Sequence, residues 1–199
     1  MTAPQSVAGL AILVTGGGSG IGRAVAAAAL AGRARVAALD LDPSGTAPGA
    51  VHVKADVSDD RSIIQAVAYA VEQLGGLDVL VNNAGIGAQG SVEENSLEEW
   101  LRVLDVNLLG VVRTTRAALP YLRRSQQASI VNMCSIAATA GLPRRAAYSA
   151  SKGAVLSLTL AMAADHLDHL HEGIRVNRVN PGTAGHALGG AAARAGGGQ

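Results

Sequence analysis

Tyr148 and Lys152 stand four residues apart in the run Ala147-Tyr-Ser-Ala-Ser-Lys152-Gly-Ala-Val, whose composition suits a helix. That spacing projects both side chains from one helix face. An ammonium beside a phenol stabilises the phenolate, so the pair can exchange a proton with a substrate hydroxyl. Ser135 follows an apolar run, Ser129 to Met133, that reads as a strand. Ligands of open α/β sheets bind at the carboxyl ends of strands, where a serine hydroxyl can hold a carbonyl oxygen. Each feature has a plainer explanation, an amphipathic helix face or a capping serine. They gain weight by pointing to the same edge.

A second constellation lies near the start. Thr15-Gly-Gly-Gly-Ser-Gly-Ile-Gly22 directly follows a first apolar run and precedes a helical pattern. Gly16, Gly20 and Gly22, with Ser19 and Ile21 between them, suit a tight turn whose backbone can approach a pyrophosphate at a helix N-terminus. Asp40 closes the second strand, 18 residues beyond Gly22, where a carboxylate can accept hydrogen bonds from adenosine ribose hydroxyls. The same charge repels a 2′-phosphate, and neither Ser19 nor Leu41 is basic, so the expected cofactor is NAD rather than NADP.

The elements that position these residues emerge from periodicity. Six short aliphatic runs read as strands: Leu10 to Thr15, Arg35 to Leu39, Val51 to Lys54, Val79 to Val81, Ser129 to Met133 and Arg175 to Val179. Helical patterns lie between them: Gly20 to Leu30, Arg61 to Leu74, Leu97 to Arg124, which Pro120 should kink or end, and Ala147 to His171. Strands hydrophobic on both faces and joined by helices predict an α/β, doubly wound parallel sheet of the Rossmann type. One domain is expected over residues 1–181. From Gly182 to Gln199, 13 of 18 residues are Gly or Ala, too little apolar surface to oppose the entropy of ordering, so this tail is expected to be disordered.

Composition excludes several partners. The 199 residues carry a net charge of +1 with scattered basic residues and 2% aromatics, which argues against nucleic acid. No stretch reads as a secretion signal or membrane span, and the only cysteine, Cys134, rules out an internal disulfide, so a soluble, cytoplasmic protein is expected. His166, His169 and His171 lack a converging acid or thiol, and no metal is expected. Cys134 reads as a small strand-end residue. Arg144 and Arg145 read first as surface arginines, with pairing to a substrate carboxylate or phosphate as the alternative.

Taken in order, the glycine-rich run to Gly22, Asp56-Val57, Asn82-Asn83-Ala84-Gly85, Asn107, Ser135, Tyr148-x-x-x-Lys152 and Pro181-Gly182 resemble the short-chain dehydrogenase/reductase family. The resemblance covers roughly residues 8 to 183. It implies that Tyr148 is the general acid/base, that Lys152 assists it and binds the nicotinamide ribose, that Ser135 orients the carbonyl and that Asn107 holds a relay water. It further implies that Asp56 and Val57 lie at the adenine, that Asn83, Ala84 and Gly85 border the cofactor, and that Pro181, Gly182 and Thr183 begin a cofactor loop. The substrate would be a small alcohol or ketone, and a homodimer would form through the two long helices. Beyond Thr183 the chain departs from the family: no seventh strand or lid helices are legible. Two other readings therefore stand beside the enzyme, a catalytically impaired nucleotide-binding or dimerisation module and a non-functional truncated fragment.

Overall fold

The computed structural model describes residues 6–168 and 173–182. Six strands, β1 (Ala11–Thr15), β2 (Arg35–Asp40), β3 (Val51–Lys54), β4 (Val79–Asn82), β5 (Ser129–Met133) and β6 (Arg175–Val179), form one sheet. Its order is β3-β2-β1-β4-β5-β6 and every pairing is parallel. Five helices connect them: α1 (Gly20–Ala31), α2 (Asp60–Leu74), α3 (Leu97–Leu104), α4 (Gly110–Leu122) and α5 (Ala146–Asp168). The strand order reverses between β1 and β4, which opens a crevice at their carboxyl ends.

Side chains alternate across the sheet. Leu13, Leu39, Leu80 and Ile130 pack with Ile63 and Val67 of α2 and Leu122 of α4 on one face. Ile12, Val14, Val36 and Val81 pack with Ala26 and Ala29 of α1 on the other. Alanine along α1 lets that helix lie close to the strands without a large aliphatic between them. Local signals set the helix limits: Asp59 and Ser96 accept the N–H of Ser62 and Glu99, and Gly75, at φ 70°, ends α2 in the left-handed conformation glycine tolerates.

The expected long helix from Leu97 to Arg124 is interrupted. The break is not at Pro120, which lies in the last turn of α4, but at residues Asp105–Leu109, which form a π-turn. Pro120 removes the N–H that would bond to Arg116 O and the helix ends two residues later, whereas the π-turn inserts a residue in the middle of the helical run. The last helix is described as far as Asp168; His169, His171, Thr183 and the Gly/Ala-rich tail lie outside the described residues. Among the described residues β6 is an edge strand.

Candidate active site

The glycine-rich turn leaves β1 beneath the crevice. Gly16 adopts φ 65°, and a Cβ there would stand 2.9 Å from the Ala84 backbone. At Gly22 a Cβ would fall 2.0 Å from the Gly16 carbonyl oxygen, so only glycine lets α1 begin this close to the turn. Ser19 is extended at the helix N-cap and its hydroxyl makes no capping bond, Gly20 is open above, Ile21 is partly exposed, and no acid lies in the first turn. The uncapped N–H groups and the helix dipole favour an anion there. Asp40 is fastened to this turn: one carboxylate oxygen accepts Gly18 N–H at 2.9 Å and the other accepts Asp42 N–H at 3.1 Å.

Thr15, which belongs to the glycine-rich motif but has no role legible in the sequence, joins the two halves of the crevice. Its hydroxyl oxygen accepts the N–H groups of Asn83 and Ala84, each at 3.0 Å. The Asn83 amide returns the tie, donating to the carbonyls of Thr15 and Gly16 at 3.0 and 3.1 Å. Asp56 caps the turn into α2, accepting from both the hydroxyl and the N–H of Ser58, and these bonds hold its carboxyl below the usual range. Val57 packs against Gly110 at the start of α4, where a Cβ would be 3.1 Å from it.

The second cluster sits across the crevice. Lys152 is 5% exposed, and its ammonium donates to the Met133 carbonyl at 2.8 Å. Burial pushes its pKa down, opposed by the neighbouring Cys134. The ammonium lies 5.9 Å from the centre of the Tyr148 ring, which packs with Ile86 and Trp100 against Ala88, Val103 and Ala147. A Cβ on Gly85 would come within 3.1 Å of Asn107 Oδ1 and 3.5 Å of Lys152 Nζ, so the Gly85 backbone lies beside both groups.

Asn107 is fully buried in the π-turn. Its Oδ1 accepts Ile86 N–H at 2.7 Å, and its amide donates to Ile86 O and Ser151 Oγ, both at 3.0 Å. Both side-chain donors are thus spent, and a water there would have to be held through oxygen acceptors. Ser151, which carries no signal in the sequence, hands its own proton to the Tyr148 carbonyl at 2.7 Å, locking the first turn of α5 to the π-turn. Ser135 lies past β5, where its Oγ accepts Ala137 N–H at 3.1 Å and keeps its own proton for another acceptor. Pro181 O accepts Ile136 N–H at 3.1 Å, which brings Pro181 to the segment after Ser135, while Gly182 is exposed. Cys134 is buried and donates to Lys152 O at 3.1 Å, a packing role.

A doubly wound sheet with a glycine turn at its switch point, and a Tyr/Lys pair on the helix after β5, defines a Rossmann-type oxidoreductase. Residues 10–190 match the family model described as short chain dehydrogenase, and the chain belongs to that family. It is 41% identical over 182 residues to 2-(S)-hydroxypropyl-CoM dehydrogenase 3 of Xanthobacter autotrophicus (strain ATCC BAA-1158 / Py2), covering 86% of this chain and 70% of that one. It is 40% identical to meso-2,3-butanediol dehydrogenase of Serratia marcescens, over 85% of this chain and 69% of the relative. Among solved structures, the 3-ketoacyl-(acyl-carrier-protein) reductase of Brucella melitensis complexed with NADH superposes with a TM-score of 0.84 at 35% identity. That match covers 89% of this chain and 77% of the other. No helix among the described residues is long and apolar enough to cross a membrane, and no group of three or more His, Cys, Asp or Glu among them could hold a metal ion.

Proposed function

We propose that this chain is an NAD-dependent oxidoreductase that interconverts a secondary alcohol and a ketone, with Tyr148 as general acid/base. The observation that carries the reading is the buried Lys152 ammonium 5.9 Å from the Tyr148 ring, beside Asn107 and the Gly85 backbone, on the edge that also bears Ser135. The turn at Gly16, Ser19, Gly20, Ile21 and Gly22 fits a pyrophosphate, since Gly16 and Gly22 admit no Cβ and so let the turn close tightly on α1, Gly20 faces open space, and the N–H groups of α1 are uncapped. Asp40 retains lone pairs for the ribose hydroxyls, and its charge favours NAD over NADP. Asp56, Val57, Asn83, Ala84, Gly85, Pro181, Gly182 and Thr183 would border the rest of the cofactor.

Bound NAD would supply the hydride acceptor, or as NADH the donor. In the oxidative direction Tyr148 takes the hydroxyl proton as the carbinol carbon becomes a carbonyl, and Ser135 donates a hydrogen bond to that oxygen. The positive charge on Lys152 stabilises the tyrosinate, and it acts with little screening because the ammonium is buried. Asn107, fixed by Ile86 and Ser151, holds the relay side of the site in place. A homodimer through the helical segments expected over Leu97 to Arg124 and Ala147 to His171, in which α3, α4 and α5 lie, and a small-molecule substrate complete the reading. Tyr148→Phe tests it: turnover of any alcohol should vanish, while NADH should raise the melting temperature of the variant as much as that of the parent. Full activity in that variant would refute the assignment.

A further inference from the structure

Two adjacent arginines before α5 have different surroundings. Gly90 N–H donates to Arg144 O at 2.9 Å and Ala146 N–H to Gly90 O at 3.1 Å, which stitches the loop after β4 to the loop after β5. Arg144, exposed and at φ 54°, spends its charge on Glu94, with Nη1 2.6 Å from Oε1. Arg145 is half-buried, and its Nη1 donates to the Ala88 carbonyl at 3.2 Å. Among the described residues it has no acidic partner: Glu94 is taken by Arg144, and Glu99 accepts from the Asn95 amide at 2.8 Å. Ala88 belongs to the small apolar cluster against which Trp100 and Tyr148 pack, so the Arg145 guanidinium is anchored on the wall that carries the tyrosine.

A guanidinium cannot shed its charge, and partial burial without a counter-ion is unfavourable. One bond from Nη1 leaves the Nε/Nη2 edge intact, a fork that matches the two oxygens of a carboxylate. We infer that Arg145 is the residue by which this enzyme recognises an anionic substrate, so that it acts on hydroxy acids and keto acids in preference to neutral alcohols and ketones. The inference rests on the proposed function for the reaction, and on the different pairing of Arg144 and Arg145 for the choice of residue.

The test compares two keto acids, acetoacetate and levulinate, each with its own neutral amide. The readouts are kcat/KM with NADH and, separately, Kd by calorimetry on NAD-saturated protein. At least one acid should be preferred to its amide by about ten- to hundredfold, the value of a charge-assisted hydrogen bond. Arg145→Gln should lose that preference and leave the amide within about twofold; Arg145→Lys should recover only part of it, and Arg144→Gln should lose none. Equal binding of acid and amide by the parent, or a preference that survives in a folded Arg145→Gln variant, overturns the inference while turnover continues. Charge-dependent binding without turnover supports Arg145 and counts against the redox reading. A drop in melting temperature for Arg145→Gln shared by Arg145→Lys would mark a structural residue and overturn the inference as well.

Discussion

Replacing Thr159 by valine removes the hydroxyl at the end of the polar ladder that ties α5 to the sheet, a hydroxyl that accepts from Asn132 and itself donates to Val155 O at 2.7 Å. Asn82 Nδ2 donates to Asn132 Oδ1 at 2.9 Å and to Thr115 Oγ1 at 3.1 Å, and Asn132 Nδ2 donates to Thr159 Oγ1 at 3.0 Å. Thr159 is 2% exposed and Asn132 0%, so no water can replace a lost partner. Valine keeps the shape but presents a methyl group to Asn132 Nδ2. Stranding a buried donor costs about 1–3 kcal/mol, and in a chain of this size each kcal/mol lowers the melting temperature by roughly 2–4 °C. Circular-dichroism melting of Thr159→Val should therefore show a loss of about 2–12 °C. Adding Asn132→Leu removes the stranded donor, so the double variant should be less destabilised than the sum of the singles, with a coupling of about 0.5–3 kcal/mol. A Thr159→Val melt within about 1 °C of the parent, or strict additivity, would refute the claim that the ladder fastens α5.

Three further outcomes are expected from the same structure. Burial lowers the Lys152 pKa from its ordinary 10.5, so the folded chain binds fewer protons than the unfolded one between the two values. Stability contributed by this group is thus lost as pH falls through the lowered value and regained as pH rises toward 10.5; melting curves should show the parent gaining on Lys152→Met across that rise, and a constant difference would refute it. Gly153 in α5 has open space where a Cβ would stand, with nothing within 4 Å, so Gly153→Ala should raise stability by about 0.5–1 kcal/mol, whereas Gly22→Ala should destabilise the fold and abolish NADH binding, both read by melting with and without cofactor. Asp40→Asn keeps an oxygen for Gly18 N–H but removes the charge and the acceptor of Asp42 N–H; fluorescence titration should show NADH affinity falling by roughly ten- to hundredfold and the preference over NADPH shrinking.

The sheet was legible because its inner strands are short, buried aliphatic runs between turn residues, and the more exposed edge strands still alternate with helices in the same rhythm; Val51–Lys54, Ser129–Met133 and Arg175–Val179 coincide with the runs in the sequence. Helix interruption was not. Asp105–Leu109 lies within one continuous helical pattern, and its π-turn is stabilised by tertiary partners of Asn107 at Ile86 and Ser151 that local pattern cannot show. The positions of Tyr148, Lys152 and Ser135 could be read from spacing and strand ends, whereas the anchoring of Lys152 to Met133 O depends on a carbonyl, which every residue has. Thr15 and Ser151 were hidden for a related reason: a hydroxyl gains its role from what another loop brings to it. Arg144 and Arg145 look alike in sequence, and only the placement of Glu94 and Ala88 separates them.

The seam at Thr15 has an evolutionary consequence. Asp40, proposed to choose the cofactor, closes β2 beside the turn after β1, the residues proposed to perform the reaction stand after β4 and β5, and the Thr15 hydroxyl with the Asn83 amide joins the two sides at the switch point. Selection can therefore revise dinucleotide preference on one side and substrate on the other nearly independently, provided the joint is inherited unchanged. Lineages that diversify on this frame should vary most at its two flanks and least at that joint.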